Sequence, residues 1–409
     1  MHHHHHHMRM EFRHNLPSSD IIFGSGTLEK IGEETKKWGD KAILVTGKSN
    51  MKKLGFLADA IDYLESAGVE TVHYGEIEPN PTTTVVDEGA EIVLEEGCDV
   101  VVALGGGSSM DAAKGIAMVA GHSAEERDIS VWDFAPEGDK ETKPITEKTL
   151  PVIAATSTSG TGSHVTPYAV ITNPETKGKP GFGNKHSFPK VSIVDIDILK
   201  EMPPRLTAIT GYDVFSHVSE NLTAKGDHPT ADPLAIRAIE YVTEYLLRAV
   251  EDGEDIKARE KMAVADTYAG LSNTISGTTL RHAMAAPISG YYPDISHGQA
   301  LASISVPIME HNIENGDEKT WERYSRIAVA LDASKPVDNT RQAASKAVDG
   351  LKNLLRSLDL DKPLSELGVE EEKIPEMTEG AFIYMGGGIE ANPVDVSKED
   401  VKEIFRKSL

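Results

Sequence analysis

The sequence predicts a parallel α/β sheet in its first half and an all-helical second half. Three observations carry this. Short apolar runs such as Ala42–Thr46 and Val100–Leu104 alternate with helical periodicities up to about residue 200, the rhythm of a parallel sheet with ligands at the carboxyl ends of its strands. The second run opens into Gly105-Gly106-Gly107-Ser108-Ser109-Met110-Asp111-Ala112-Ala113-Lys114. Beyond about Pro203 strand signals nearly vanish, and long helical repeats take over;.

In order, Asp20–Leu28 reads as a strand and turn before a helix near Glu29–Trp38. Ala42–Thr46 is a buried strand ending in Gly47-Lys48-Ser49-Asn50. A helix near Leu57–Ala67, a strand at Val69–Tyr74, a loop at Glu78–Pro81 and a helix at Thr84–Glu96 lead to the Val100 strand. Residues 121–148 read as a polar loop excursion. Leu150–Ala155, Tyr168–Thr172 and Val191–Asp195 complete the strands. Helices follow at Leu206–Thr223, Pro233–Val250, Asp255–Ile275, Tyr324–Leu331, Thr340–Leu358 and Lys398–Ser408. A stretch beginning at His282 is helical until Pro287 interrupts it, and the charge-rich run Asp359–Lys373 reads as solvated surface;. Residues 1–10 begin with Met1 and six histidines, an expression tag and leader;. This leaves an α/β domain over 11–204 and a helical domain over 205–409.

A hydrophobic content of 39% suffices for full cores, and no apolar run reaches the length of a membrane span;. The single cysteine, Cys98, excludes an internal disulfide framework and suits a reducing cytoplasm;. With 41 Lys+Arg against 65 Asp+Glu the net charge is −24, a surface that repels nucleic acid and anionic membrane. The acidic residues are spread along the chain, which fits either a high-salt habitat or an ordinary acidic cytosolic protein.

Strand, glycine turn and helix N-terminus together suit a phosphate, because glycine lets it approach the backbone and the free N–H groups attract its charge. The spacing matches neither the dinucleotide fingerprint nor a P-loop, and a plain βα turn would use the same residues. A second run, Thr156-Ser157-Thr158-Ser159-Gly160-Thr161-Gly162-Ser163, offers hydroxyls and N–H groups to a phosphate or ribose, or is a simple Ser/Thr turn. Asp213 and His217 lie at i and i+4, one turn apart on one helical face, with β-carbons about 6 Å apart. Downstream come Arg281-His282 and Ser296-His297-Gly298. One aspartate and three histidines would suit a divalent ion such as Fe, Zn or Mn. Taken singly, each histidine reads as well as a satisfied core residue. No HExxH, GxSxG or CxxC pattern is present;.

These pieces together resemble the iron-containing (group III) alcohol dehydrogenases over essentially the whole chain after the tag. The carriers are Gly105–Lys114, the Thr156–Gly162 loop, Gly211-Tyr212-Asp213 with His217, His282, and Ser296-His297-Gly298. The resemblance implies a Rossmann-like N-terminal domain joined to an all-α C-terminal domain, the architecture shared with dehydroquinate synthase. It implies a metal site of Asp213, His217, His282 and His297, with iron the family's usual ion. The cofactor would lie on Gly106, Gly107, Ser108 and Asp111, lined by Thr156, Ser157, Ser159 and Thr161, with Asn80 and Lys179 toward the ribose. The substrate would be a small-to-medium alcohol or aldehyde, and the protein a homodimer or higher homo-oligomer.

Three departures from the family pattern matter. Gly47 stands where many relatives carry an aspartate that repels a 2′-phosphate, and Lys48 and Ser49 could hold that phosphate, so NADP(H) is expected over NAD(H);. Ala286 stands where relatives often carry a further histidine linked to proton transfer. The interval from His282 to His297 is one residue longer than usual, through Pro293. The competing expectations are a glycerol or polyol dehydrogenase of the same superfamily and, more distantly, a nucleotide-binding regulatory protein without turnover. A dehydroquinate synthase is disfavoured by the few basic residues around Asp213–His297.

Overall fold

The computed structural model describes residues 9–14 and 16–409; Met1 and the six tag histidines lie outside the described residues. The first half holds strands β1 (Asp20–Phe23), β2 (Lys41–Gly47), β3 (Glu70–Ile77), β4 (Val100–Gly105), β5 (Val152–Thr156) and β8 (Val191–Val194). They form one parallel sheet in the order β1-β8-β5-β4-β2-β3. Helices α1 (Ile31–Lys36), α2 (Phe56–Ser66), α3 (Thr83–Glu96) and α4 (Gly107–His122) connect them. Strand β4 shows why its run is apolar throughout. Val101 and Ala103 enter the core on one face of the sheet, and Val100, Val102 and Leu104 enter the core on the other;.

The chain order reverses at β4, which lies between β2 and β5. Open α/β sheets bind ligands at such a switch point, outside the carboxyl ends of the strands. The register pairs Gly105 with Thr156. The glycine turn and the start of the Thr156 loop are therefore side by side.

The strand expected at Tyr168–Thr172 shrinks to β6 (Ala169–Val170), paired antiparallel with β7 (Gly181–Phe182) outside the main sheet. Side chains take its backbone groups: the Lys114 ammonium donates to the Tyr168 carbonyl at 3.0 Å, and the Val170 amide donates to Asp111 at 3.2 Å. The excursion at 121–148 holds one 3-10 turn, Val131–Phe134, fixed by a capping box at Ser130;.

Long helices begin at Pro204. They are α5 (Pro204–Thr223), α6 (Asp232–Tyr241, continued through a wide turn to Glu251), α7 (Ile256–Ile275), α8 (Leu280–Tyr291) and α9 (His297–Asn315). Then come α10 (Glu318–Ala330), α11 (Arg341–Ser357), α12 (Ile374–Tyr384), α13 (Gly386–Ala391) and α14 (Lys398–Lys407). They pack around one apolar core. Two expectations are corrected here. Pro287 does not interrupt its helix: α8 runs through it to Tyr291, buried almost end to end. One hydrogen bond is lost at proline, but tertiary packing holds the rod. The run Asp359–Lys373 is not merely solvated surface, because Leu360, Leu364 and Val369 are buried in the helical core. Among the described residues no helix is long and apolar enough to cross a membrane.

Candidate functional site

Helix α5 is buried on almost every side from Gly211 to Thr223, an unusual setting for Asp213, His217 and Glu220. These three recur at i, i+4 and i+7 and so form one stripe. Asp213 is the hub. His217 Nδ1 lies 3.1 Å from its Oδ1, His282 Nε2 lies 3.2 Å from the same oxygen, and His297 Nε2 lies 3.7 Å from Oδ2. Candidate ligand atoms of Asp213, His217 and His282 all fall within 4.8 Å of one another. His297, the first residue of α9, completes the group from the other carboxylate oxygen, its ring 5.1 Å from that of His282. The extra residue Pro293 therefore leaves His297 at the cluster.

Each imidazole is oriented by its neighbours. His217 Nδ1 lies 2.9 Å from the Asp213 carbonyl and donates to it, which frees Nε2 as a ligand;. His282 Nδ1 sits 2.6 Å from Glu220 Oε2, which turns His282 Nε2 toward Asp213;. Glu220 is the functional residue that the sequence reading missed. Its Oε1 also accepts the amides of Thr279 and His282 at 3.1 and 3.0 Å, so it closes the N-terminus of α8;. Ser216 donates to Glu220 at 2.8 Å, and the buried Arg281 guanidinium donates to Ser216 and Ser219.

The electrostatics follow from burial and pairing. Burial works against the charged forms of Asp213 and Glu220, yet the surrounding histidines, with Arg281 at Glu220, hold both well below the usual carboxylate range. Burial in the packing around His297 lowers its ring, although 31% of its side chain stays exposed. Burial would lower His282 too, but Glu220 and Asp213 outweigh it and raise it to about 9. Three buried atoms of the cluster residues, Asp213 Oδ1, His282 Nε2 and His297 Nδ1, have no hydrogen-bond partner. Buried polar atoms are normally satisfied. Asp213, His217 and His282 converge closely, with His297 beside them at 3.7 Å from Asp213 Oδ2, and a carboxylate with imidazoles in this arrangement fits a divalent cation;.

The cofactor candidates gather at the carboxyl edge of the sheet. Gly106 precedes α4, and Gly107 and Ser108 open it. A Cβ on Gly106 would lie 3.2 Å from Thr158 Cγ2, and one on Gly107 would lie 2.5 Å from Thr161 Cγ2. The close approach of the second loop thus leaves no room for a Cβ at Gly107 unless Thr161 shifts, and only a tight fit at Gly106. The Ser157 amide donates to the Gly105 carbonyl at 2.8 Å. The Thr156 hydroxyl is spent inside the loop, donating to the Thr158 carbonyl at 2.8 Å. Ser159 is buried. The Asp111 carboxylate accepts from Ser163 Oγ at 2.7 Å and from the Val170 amide, so both of its oxygens serve the fold.

Asn80 and Lys179 are brought together: the Lys179 ammonium donates to Asn80 Oδ1 at 2.6 Å. Asn80 sits at φ +59, and its amide reaches the Pro293 carbonyl at 3.4 Å;. Lys179 is buried, which pushes it down to about 8 against the pull of Asp111 and Asp213. It lines a small cavity with Lys177, Ala286, Tyr291 and Tyr384, so open space stands beside Ala286. At the end of β2, Gly47 has room for a Cβ, whose nearest neighbour would be the Ile77 carbonyl at 3.6 Å. Exposed Lys48 pairs with Glu78 at 2.6 Å, and Ser49 precedes a single helical turn from Asn50 to Lys53.

A family model described as iron-containing alcohol dehydrogenase matches residues 18–196, and its C-terminal counterpart matches residues 207–409. The NAD-dependent methanol dehydrogenase of Bacillus methanolicus is 32% identical over 395 residues, covering 96% of this chain and 99% of that protein. The NADPH-dependent butanol dehydrogenase of Clostridium saccharobutylicum is 34% identical over 403 residues, covering 96% of this chain and 97% of its own. The crystal structure of a 1,3-propanediol oxidoreductase superposes with a TM-score of 0.86 at 31% identity, covering 98% of this chain and 100% of that one.

Proposed function

Because the chain belongs to the iron-containing alcohol dehydrogenase family, we propose that it interconverts small-to-medium alcohols and aldehydes with a nicotinamide cofactor, at a divalent cation held by Asp213, His217, His282 and His297. The observation that supports the ligand set most strongly is the pair of unpartnered buried atoms, Asp213 Oδ1 and His282 Nε2, at the centre of the cluster. A cation bound there would supply Lewis acidity to the alcohol oxygen, and the nicotinamide would accept or return the hydride.

The chain's own residues do the rest. Glu220 keeps His282 in the tautomer that presents Nε2;. The buried helices α5 and α8 exclude water from Asp213, His217 and His282, which strengthens the electrostatics there, while His297 keeps an open side;. The glycine turn and the Thr158–Thr161 loop offer backbone N–H groups and hydroxyls to the pyrophosphate. Asn80 and Lys179, already joined, take the ribose side. With alanine at 286, no imidazole carries the proton there; water, ribose or another side chain has that task.

NADP(H) over NAD(H) is our reading of the coenzyme. Gly47 removes the repulsion an aspartate would exert on a 2′-phosphate, and Lys48 could turn from Glu78 to that phosphate;. The names of the two relatives divide between NAD and NADPH. A cytoplasmic site of action is our reading of the single cysteine, Cys98, which leaves no internal disulfide framework and suits a reducing compartment;. Self-association into a dimer or larger assembly remains part of the proposal through the family. Turnover of an alcohol and aldehyde panel with both coenzymes, followed by nicotinamide absorbance, tests the whole reading. Metal-dependent turnover with higher kcat/KM for NADP(H) is expected. Equal or better kcat/KM with NAD overturns the coenzyme choice, and cofactor binding without turnover of any alcohol overturns the enzyme.

A further inference from the structure

The loop from Thr158 to Gly162 is gripped from two sides. On one side lies the glycine turn, against Thr158 and Thr161. On the other lie helices of the second half. A Cβ on Gly160 would meet Thr210 Cβ on α5 at 2.5 Å, and a Cβ on Gly162 would meet the Gly270 Cα on α7 at 2.8 Å. Gly162 is in the left-handed region at φ +68, so both its conformation and its neighbour demand glycine;. Thr210 is three residues before Asp213. The loop thus touches the cofactor turn and the helix that carries two of the metal ligands.

One side chain crosses this seam. Asp266 of α7 is 2% exposed and accepts the Gly162 amide at 2.9 Å. A buried carboxyl is costly unless its bonds are satisfied, so its placement needs a reason. The sequence reading gave it no role. We infer that Asp266 is a positioning residue that clamps the Thr158–Gly162 loop onto α7 and so sets how deeply the nicotinamide cofactor sits relative to the metal cluster. This rests on the reading of that loop as part of the cofactor cradle.

The surroundings favour an acceptor rather than a charge. Burial pushes the Asp266 carboxyl up to about 8, against the loop amides, so the neutral acid predominates at neutral pH. His164 Nδ1, 3.6 Å away, is kept neutral by burial, which lowers that ring to about 3. A neutral amide of the same shape therefore does the same work, and a truncated side chain does not.

The test uses the full metal-loaded chain with Asp266→Ala, Asp266→Asn and Gly107→Ala, measuring NADPH and NADH dissociation constants, metal content and Tm. Asp266→Ala is expected to weaken cofactor binding about tenfold with metal content unchanged, the effect of one lost buried hydrogen bond. Asp266→Asn is expected to restore it to within about twofold of the unaltered chain. Asp266→Thr, which fills more of the site, takes the place of alanine should that variant not fold. If Gly107→Ala weakens binding while Asp266→Ala does not, or if asparagine fails to rescue, the clamp is overturned alone. If Gly107→Ala and Asp266→Ala both bind cofactor as the unaltered chain does, the cradle reading falls and the clamp with it.

Discussion

The proposed cofactor cradle and the proposed metal cluster meet across the Thr158–Gly162 loop but are made of different material. The cradle is backbone and small side chains: Gly106 and Gly107 exist so that Thr158 and Thr161 can come close. The cluster is charge in a mostly buried place: Asp213 with three imidazoles, of which His282 is held by Glu220 and His297 is partly exposed. The first fails when an atom is added, the second when an atom is removed. Each can therefore be damaged while the other is watched.

The largest expected effect lies on the cluster. Asp213→Ala removes the carboxylate that all three imidazoles face, and kcat/KM should fall by about 10³-fold or more together with bound metal. Steady-state kinetics with metal analysis decides, and a variant keeping a tenth of the activity breaks the comparison. Next is Glu220→Gln, which leaves the ligands in place but loosens His282. Metal affinity should drop about 10- to 100-fold, cofactor affinity should hold, and excess metal should restore turnover. The mirror image is Gly107→Ala. A methyl 2.5 Å from Thr161 Cγ2 must displace the loop, and cofactor binding should weaken about tenfold while metal content stays at the unaltered level. The smallest effect is Gly47→Asp. It should move the NADPH to NADH ratio of kcat/KM about fivefold toward NADH, through like-charge repulsion of a 2′-phosphate. An unchanged ratio would place the coenzyme's phosphate elsewhere.

The same contrast explains what could be read from the sequence. The glycine turn was legible because its parts are contiguous: a strand, three glycines and a helix start within a dozen residues. The parallel sheet and helical second half were legible for the same local reason. Of the cluster, only Asp213 and His217 share a helix; His282 and His297 were visible as single residues, and what joined them was resemblance, not spacing. Glu220 was missed although a signal existed, the i, i+4, i+7 stripe with Asp213 and His217 on a helix that carries no other acidic residue. Pro287 misled because proline's local cost is visible in sequence and the packing that overrides it is not. Leu360, Leu364 and Val369 were hidden among charges. Asp266 gave no warning, since its partner, the Gly162 amide, lies 104 positions away.

The convergence of Asp213, His217, His282 and His297 on one cation is best tested by titrating metal-stripped protein, with the six-histidine tag removed, with cobalt(II) and following its d–d absorption, in the otherwise unaltered chain and in His217→Ala. One equivalent per chain, with a low-symmetry nitrogen and oxygen spectrum that the alanine variant loses, is the predicted result. A cobalt spectrum and stoichiometry identical in His217→Ala would contradict it.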